Sequence, residues 1–140
     1  VVTPYYNKAT QNGLIAHFTA IADASTKPLI VYNVPSRTGL NIQPETLAIL
    51  AEEENIIALK EAAANTIQLM DMINLCGDKI DFYSGSDELI APVMALGGKG
   101  VISVLSNLIP AEVRLMTHGR IENAVKMNLE FMPLPREGCG

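Results

Sequence analysis

The chain has 140 residues, and ten Lys plus Arg against fifteen Asp plus Glu give a formal net charge of −5. That length suits one compact domain, and 49% hydrophobic with 18% charged residues excludes a disordered or fibrous chain. The acidic balance, with basic residues scattered singly, argues against a nucleic-acid footprint and against attraction to anionic lipid, so a small molecule or another protein chain is the expected partner.

Val1-Val2-Thr3-Pro4 reads as the end of a strand already under way. Leu14, Ile15, Phe18, Ile21 and Ala22 then fall on one face of a 3.6-residue period and predict a helix whose apolar side is core. A strand is expected over Leu29-Ile30-Val31-Tyr32 and another over Ile56-Ile57-Ala58-Leu59, with Pro44 at the first position of the helix between them. Ile80-Asp81-Phe82-Tyr83 and Val101-Ile102-Ser103-Val104 are further strands. Pro110 is placed to open a helix, and Gly77, Gly97 and Gly119 are expected to be left-handed helix caps. Pro92 sits inside Leu89 to Leu96 and must either kink that helix or mark its true start. Gly97-Gly98-Lys99-Gly100 precedes a strand instead of opening a helix, so it reads as a turn and not as a phosphate loop.

None of these runs approaches the roughly 20 residues of a membrane helix, and no signal-peptide pattern opens the chain. Cys76 and Cys139 lack the spacing of a zinc or disulfide framework, which points to a reducing cytoplasm. His17 and His118 have no ligand at metal-binding spacing. The stretch from Pro133 to Gly140 breaks off a helical pattern, so both ends read as cut.

Strand followed by helix, repeated, with strands apolar on successive residues, is the pattern of a parallel α/β sheet covered on both faces. About five parallel strands fit either an open doubly wound sheet or part of an eight-stranded (β/α) barrel. A whole barrel takes about 250 residues, so in the second case roughly three strands lie outside this chain.

In either fold the reactive positions are the C-terminal strand ends and the loops after them. Lys60 closes an apolar strand, where desolvation favours the neutral, nucleophilic amine that forms Schiff bases; the alternative is a snorkelling lysine paired with Glu61 or another carboxylate. Tyr32 ends the preceding strand, level with Lys60 if the two strands are adjacent and in register. It is either a proton relay or an ordinary strand-end tyrosine. Arg37, in Pro35-Ser36-Arg37-Thr38-Gly39, lies on the same rim and can hold a carboxylate or form a surface ion pair.

Thr3-Pro4-Tyr5-Tyr6-Asn7, Tyr32-Asn33-Val34-Pro35-Ser36-Arg37-Thr38-Gly39, Ala58-Leu59-Lys60-Glu61-Ala62, Ser84-Gly85-Ser86-Asp87 and Gly97 to Val104 together resemble the dihydrodipicolinate synthase family in order and spacing. The likeness runs from residue 1 to about 134, and only 135–140 depart from it. It implies a partial (β/α)8 barrel of the TIM type, the C-terminal portion of a synthase domain. There Lys60 forms a Schiff base with pyruvate and the enamine attacks aspartate semialdehyde, on the way to lysine and diaminopimelate. By the same resemblance Tyr32 is the proton relay and Arg37 holds the semialdehyde carboxylate. Tyr6 reaches across a dimer interface to complete a hydroxyl relay, Gly85 and the Ile102 backbone line the substrate pockets, and Tyr5 lies where lysine binds as feedback inhibitor. A homo-oligomer is implied, with no cofactor and no metal. The family's Gly-Thr-Thr-Gly-Glu segment, whose threonines join the relay, is absent from this sequence. That leaves two rivals: another pyruvate-dependent lyase or aldolase of the superfamily, and a non-catalytic fragment.

Overall fold

A computed structural model of the chain describes residues 1–131, 133 and 134; the tail at 135–140, expected to diverge, lies outside the described residues. The chain divides into two compact units, Val1–Phe82 and Tyr83–Gly140.

The first unit opens with Val2, which makes an isolated parallel bridge to Tyr32 in place of a full strand. Helix α1 (Gln11–Ala24) is capped by the Thr10 hydroxyl, which accepts the Gly13 N–H at 3.2 Å. The helix buries Leu14, Phe18 and Ala22, three of the five residues that the periodicity assigns to its core face. Strand β1 (Leu29–Asn33) runs parallel to β2 (Ile56–Glu61). Between them come α2 (Pro35–Thr38) and α3 (Pro44–Leu50), each with a proline in its first turn, where the missing N–H costs nothing. Helix α4 (Thr66–Cys76) follows β2 and is capped by the Asn65 side chain, which accepts the Gln68 N–H. Leu14, Phe18, Val31, Ile42, Leu47, Leu50, Leu59 and Met72 are fully buried, and each such side chain contributes about 1.5–3 kcal/mol over exposure.

Strand β3 (Asp81–Ser84) begins in the last two residues of the first unit, and in the second unit its Tyr83 and Ser84 pair parallel with Gly100 and Val101 of β4 (Gly100–Val101). The strand expected to run on to Val104 stops early because side chains take over its amides. One carboxylate oxygen of Asp87 accepts the N–H groups of Val104 and Leu105 at 3.1 and 2.9 Å, and the Ser103 hydroxyl accepts that of Ser106. The chain is thereby turned into a 3₁₀ segment, Leu105–Asn107. A second one, Asp87–Leu89, leads into α5 (Ile90–Ala95), so Pro92 is a first-turn residue and kinks nothing. Ile90, Ala91 and Leu105 pack with Val113 and Met116 of α6 (Pro110–His118) and Ala124 of α7 (Ile121–Phe131).

Of the three glycines expected to cap helices in the left-handed conformation, only Gly97 adopts it, at φ 90°. Gly77 has φ −69° and Gly119 φ −88°. Both are needed because a Cβ would lie 2.6 Å from the Ile73 carbonyl oxygen and 2.5 Å from that of Leu115. Cys76 is buried, and desolvation, aided by Asp78 and opposed by Lys79, pushes its thiol up to about 11, an inert state. Among the described residues no helix is long and apolar enough to cross a membrane.

Candidate functional site

The parallel pairing of β1 with β2 sets Tyr32 directly opposite Lys60 and Asn33 opposite Glu61. Successive strand residues face opposite ways, so one face of the strand ends carries Tyr32 and Lys60, both half-buried, while the other carries Asn33 and Glu61, 0% and 4% exposed. Lys60 Nζ stands 4.0 Å from the centroid of the Tyr32 ring. An ammonium over a phenol face is attracted by the ring quadrupole, which favours this placement of the nitrogen. Burial raises the Tyr32 phenol above its ordinary value, while the Arg37 guanidinium acts in the opposite direction. The hydroxyl is therefore protonated at neutral pH and available as a donor. Arg37 itself is exposed, in the last turn of α2.

Glu61 does not serve as the ion-pair partner that the sequence offered for Lys60. Its carboxylate accepts the Asn33 amide N–H at 2.9 Å and the Ala63 N–H at 2.5 Å. Burial nevertheless raises its pKa, with the hydrogen bonds from Asn33, Ala63 and Ala62 opposing. Asn33 also donates to Asn41 Oδ1 and accepts the Ile42 N–H, and Asn41 exchanges two hydrogen bonds with Gln68 of α4. Sequence reading missed Asn33, Asn41 and Gln68. The available signal was an amide at the last position of an otherwise apolar strand, where nothing but a side-chain network can satisfy it.

Tyr5 and Tyr6 follow the Val2 bridge and are 71% and 87% exposed. Thr3, beside them, is fully buried with its hydroxyl unpartnered among the described residues. In the second unit Gly85 lies in a turn closed by the Ser84 hydroxyl, which donates to the Ser86 carbonyl at 2.6 Å. The Ile102 N–H donates to the Ser84 carbonyl at 2.9 Å, adding one bond beyond the end of β4.

The model of the dihydrodipicolinate synthetase family matches residues 1–138. The chain belongs to that family. It is 50% identical over 138 residues to the 4-hydroxy-tetrahydrodipicolinate synthase of Geotalea uraniireducens (strain Rf4), covering 96% of this chain and 48% of the relative. It is 53% identical over 137 residues to the synthase of Caldicellulosiruptor saccharolyticus, covering 95% and 46%. Among solved structures, dihydrodipicolinate synthase from Aquifex aeolicus superposes with a TM-score of 0.91 at 40% identity, over 97% of this chain and 48% of that one. The chloride-inhibited synthase from Acinetobacter baumannii complexed with pyruvate gives 0.93 at 38% identity, over 99% and 50%. The chain thus spans about half the length of the synthases it matches. The partial (β/α)8 barrel is the fold of this family, and the open doubly wound alternative falls away.

Proposed function

We propose that this chain carries the lysine-nucleophile portion of a synthase that condenses pyruvate with aspartate 4-semialdehyde in lysine and diaminopimelate biosynthesis. On this reading residues 1–134 are the C-terminal part of the barrel domain. The observation that carries the reading is the Lys60 nitrogen held over the Tyr32 ring by direct strand pairing, in a family whose members bear the synthase name.

The neutral Lys60 amine attacks C2 of pyruvate, and the Tyr32 hydroxyl gives a proton to the keto oxygen to form a carbinolamine. Loss of water leaves an imine, whose protonated nitrogen draws the electrons of a C3–H bond as the proton leaves. The resulting enamine forms a C–C bond from C3 to the aldehyde carbon of the second substrate. The lysine is itself the electron sink, so the sequence of steps calls for neither metal nor organic cofactor. Arg37, exposed on the same rim as Tyr32, holds the semialdehyde carboxylate through charge-assisted hydrogen bonds. Gly85 and the Ile102 backbone line the substrate pockets. The high exposure of Tyr6 supports its insertion into the site of a second copy in a cytoplasmic homo-oligomer, with Tyr5 beside it at a lysine-binding regulatory surface.

Borohydride reduction in the presence of pyruvate, followed by peptide mass spectrometry, is expected to place a stable adduct on Lys60. An adduct confined to other lysines, or none, overturns the assignment. The chain by itself is expected to turn over little or no substrate, because positioning contributes much of the barrier reduction and about half the length of the matching synthases lies outside it. In a coupled assay, mixing it with the N-terminal portion of a family synthase restores turnover. Full activity of the chain alone contradicts this.

A further inference from the structure

The Tyr32–Lys60 contact depends on register, and the ladder that carries it is irregular at its start. Leu29 pairs with Ile56 but Ile30 pairs with Ala58, so Ile57 is an extra, exposed residue in β2. A bulge disrupts the ladder locally, and a slip of one residue turns every side chain to the other face. Four residue pairs lie beyond the bulge, from Ile30↔Ala58 to Asn33↔Glu61, and side chains at their C-terminal end add to what holds the register there. The groups placed to fix it are the last pair of the ladder, Asn33 and Glu61, which are buried on the face opposite Tyr32 and Lys60.

Glu61 grips two things at once. One carboxylate oxygen accepts the Asn33 amide across the strands, and the other accepts the Ala63 N–H in the loop that leaves β2. That loop carries Ala64 at φ 55°, a left-handed conformation costing an L-residue about 1–2 kcal/mol, so it needs outside restraint. Asn33 is held in turn by Asn41 at 2.9 Å and by the Ile42 N–H at 3.0 Å, and Asn41 is locked to Gln68 at 2.7 and 3.0 Å. Every hydrogen-bonding atom of the Asn33 amide and both Glu61 oxygens are engaged, and a satisfied buried network of this kind specifies one arrangement.

We propose that the Glu61–Asn33 hydrogen bond is a positioning device for the reaction: it pins the ends of β1 and β2 so that the Lys60 nitrogen stays on the Tyr32 ring. Its catalytic meaning rests on the function proposed above, but the geometry can be read without turnover. In the 140-residue chain labelled with [ε-13C]lysine, the Lys60 ε-methylene protons, assigned by their loss in Lys60→Arg, are shifted upfield by the Tyr32 ring current. Glu61→Gln keeps the volume but sets an amide NH2 against the Asn33 NH2. It is expected to return the Lys60 signal most of the way to the position of exposed lysines such as Lys27, in a protein that remains folded by circular dichroism. Asn33→Asp added to Glu61→Gln reverses the donor and acceptor, while the Asn41 and Gln68 amides rotate to match, and is expected to restore the upfield signal. If Glu61→Gln does not fold, Asn41→Ala decides in its place, with a smaller displacement expected. A Lys60 signal unmoved in the folded variant, or unrestored in the double variant, reduces the pair to a structural role and overturns the proposal. Failure of wild-type chain to form a pyruvate adduct counts against the function and leaves this readout decisive for the pair.

Discussion

The two units close their strand ends by different means. In the first, β1 and β2 pair side by side through to Asn33↔Glu61, and a web of amides and one carboxylate crosses from strand to strand and on to α4. In the second, the β3–β4 ladder has two residue pairs and one added bond, and the work passes to single side chains. Asp87 caps Val104 and Leu105, while Asn128 of α7 accepts the Ala91 N–H and donates to the Asp87 carbonyl. A ladder fixes the spacing of side chains on neighbouring strands, whereas a cap fixes where a backbone turns. The lysine and tyrosine sit on the ladder, and the Gly85 and Ile102 positions, proposed to line the substrate pockets, sit among the caps.

This contrast can be broken by substitutions that hit one device at a time. The largest effect on chemistry is expected from Arg37→Ala. In the chain reconstituted with the N-terminal portion of a family synthase, loss of a charge-assisted carboxylate contact costs about 1.5–3 kcal/mol, or roughly 10- to 150-fold in kcat/KM for the semialdehyde. The rate of the Lys60–pyruvate adduct is expected to stay unchanged. Equal loss in both half-reactions removes Arg37 from the second-substrate role.

Next in size is Asp87→Ala, which strands one buried and one part-buried backbone donor and is expected to lower stability by about 2 kcal/mol in urea denaturation. The Lys60 adduct should form at its wild-type rate. One Asp87 oxygen has no hydrogen-bond partner among the described residues, so Asp87→Asn, which keeps an acceptor for the two amides, should cost less than Asp87→Ala. The reverse order would mean that the capping bonds are not what holds this turn.

The smallest effect concerns pH. Burial raises the folded-state pKa of Glu61 above the ordinary 4.5, against the opposing hydrogen bonds from Asn33, Ala63 and Ala62. In the window from that value up to the raised one, the native state holds a proton that the unfolded chain has released, so Glu61's contribution to stability falls as pH rises. Urea midpoints of wild type measured upward from pH 4.5 should therefore lose part of their lead over those of Glu61→Gln as pH rises. A difference between the two that is flat with pH refutes the shift.

How much of this could be read in the sequence depends on whether local pattern or distant partners set each feature. Leu14, Phe18 and Ala22 follow a helical period, and Pro44 and Pro110 open helices for a reason confined to one peptide unit, so these were legible. Tyr32 and Lys60 could be placed at strand ends by counting, although their contact depended on a register that no run of residues states. The end of β4 was misjudged because the amides of Val104 and Leu105 are claimed by Asp87, seventeen and eighteen positions away. Gly77 and Gly119 were correctly seen at helix ends but for the wrong reason, since the close approach of a carbonyl leaves the same trace in sequence as a positive φ. Of the Asn33–Asn41–Glu61–Gln68 web only Asn33, an amide closing an apolar strand, left a signal, because Asn41, Glu61 and Gln68 each read alone as ordinary polar residues.

The strand pairs described for each unit join segments that follow one another along the chain, Tyr32 with Lys60 and Ser84 with Val101. Their sequence separations, 60 − 32 = 28 and 101 − 84 = 17, are loop closures between neighbours along the chain. Each strand can therefore find its neighbour while the polypeptide is still emerging from the ribosome, without waiting for a distant segment. The Lys60–Tyr32 pair would be assembled as soon as β2 clears the exit tunnel. Arrested nascent chains ending just beyond α4 offer the direct view: protease protection of β1 at that length is the expected result, and its appearance only after α7 would rule out this order of assembly.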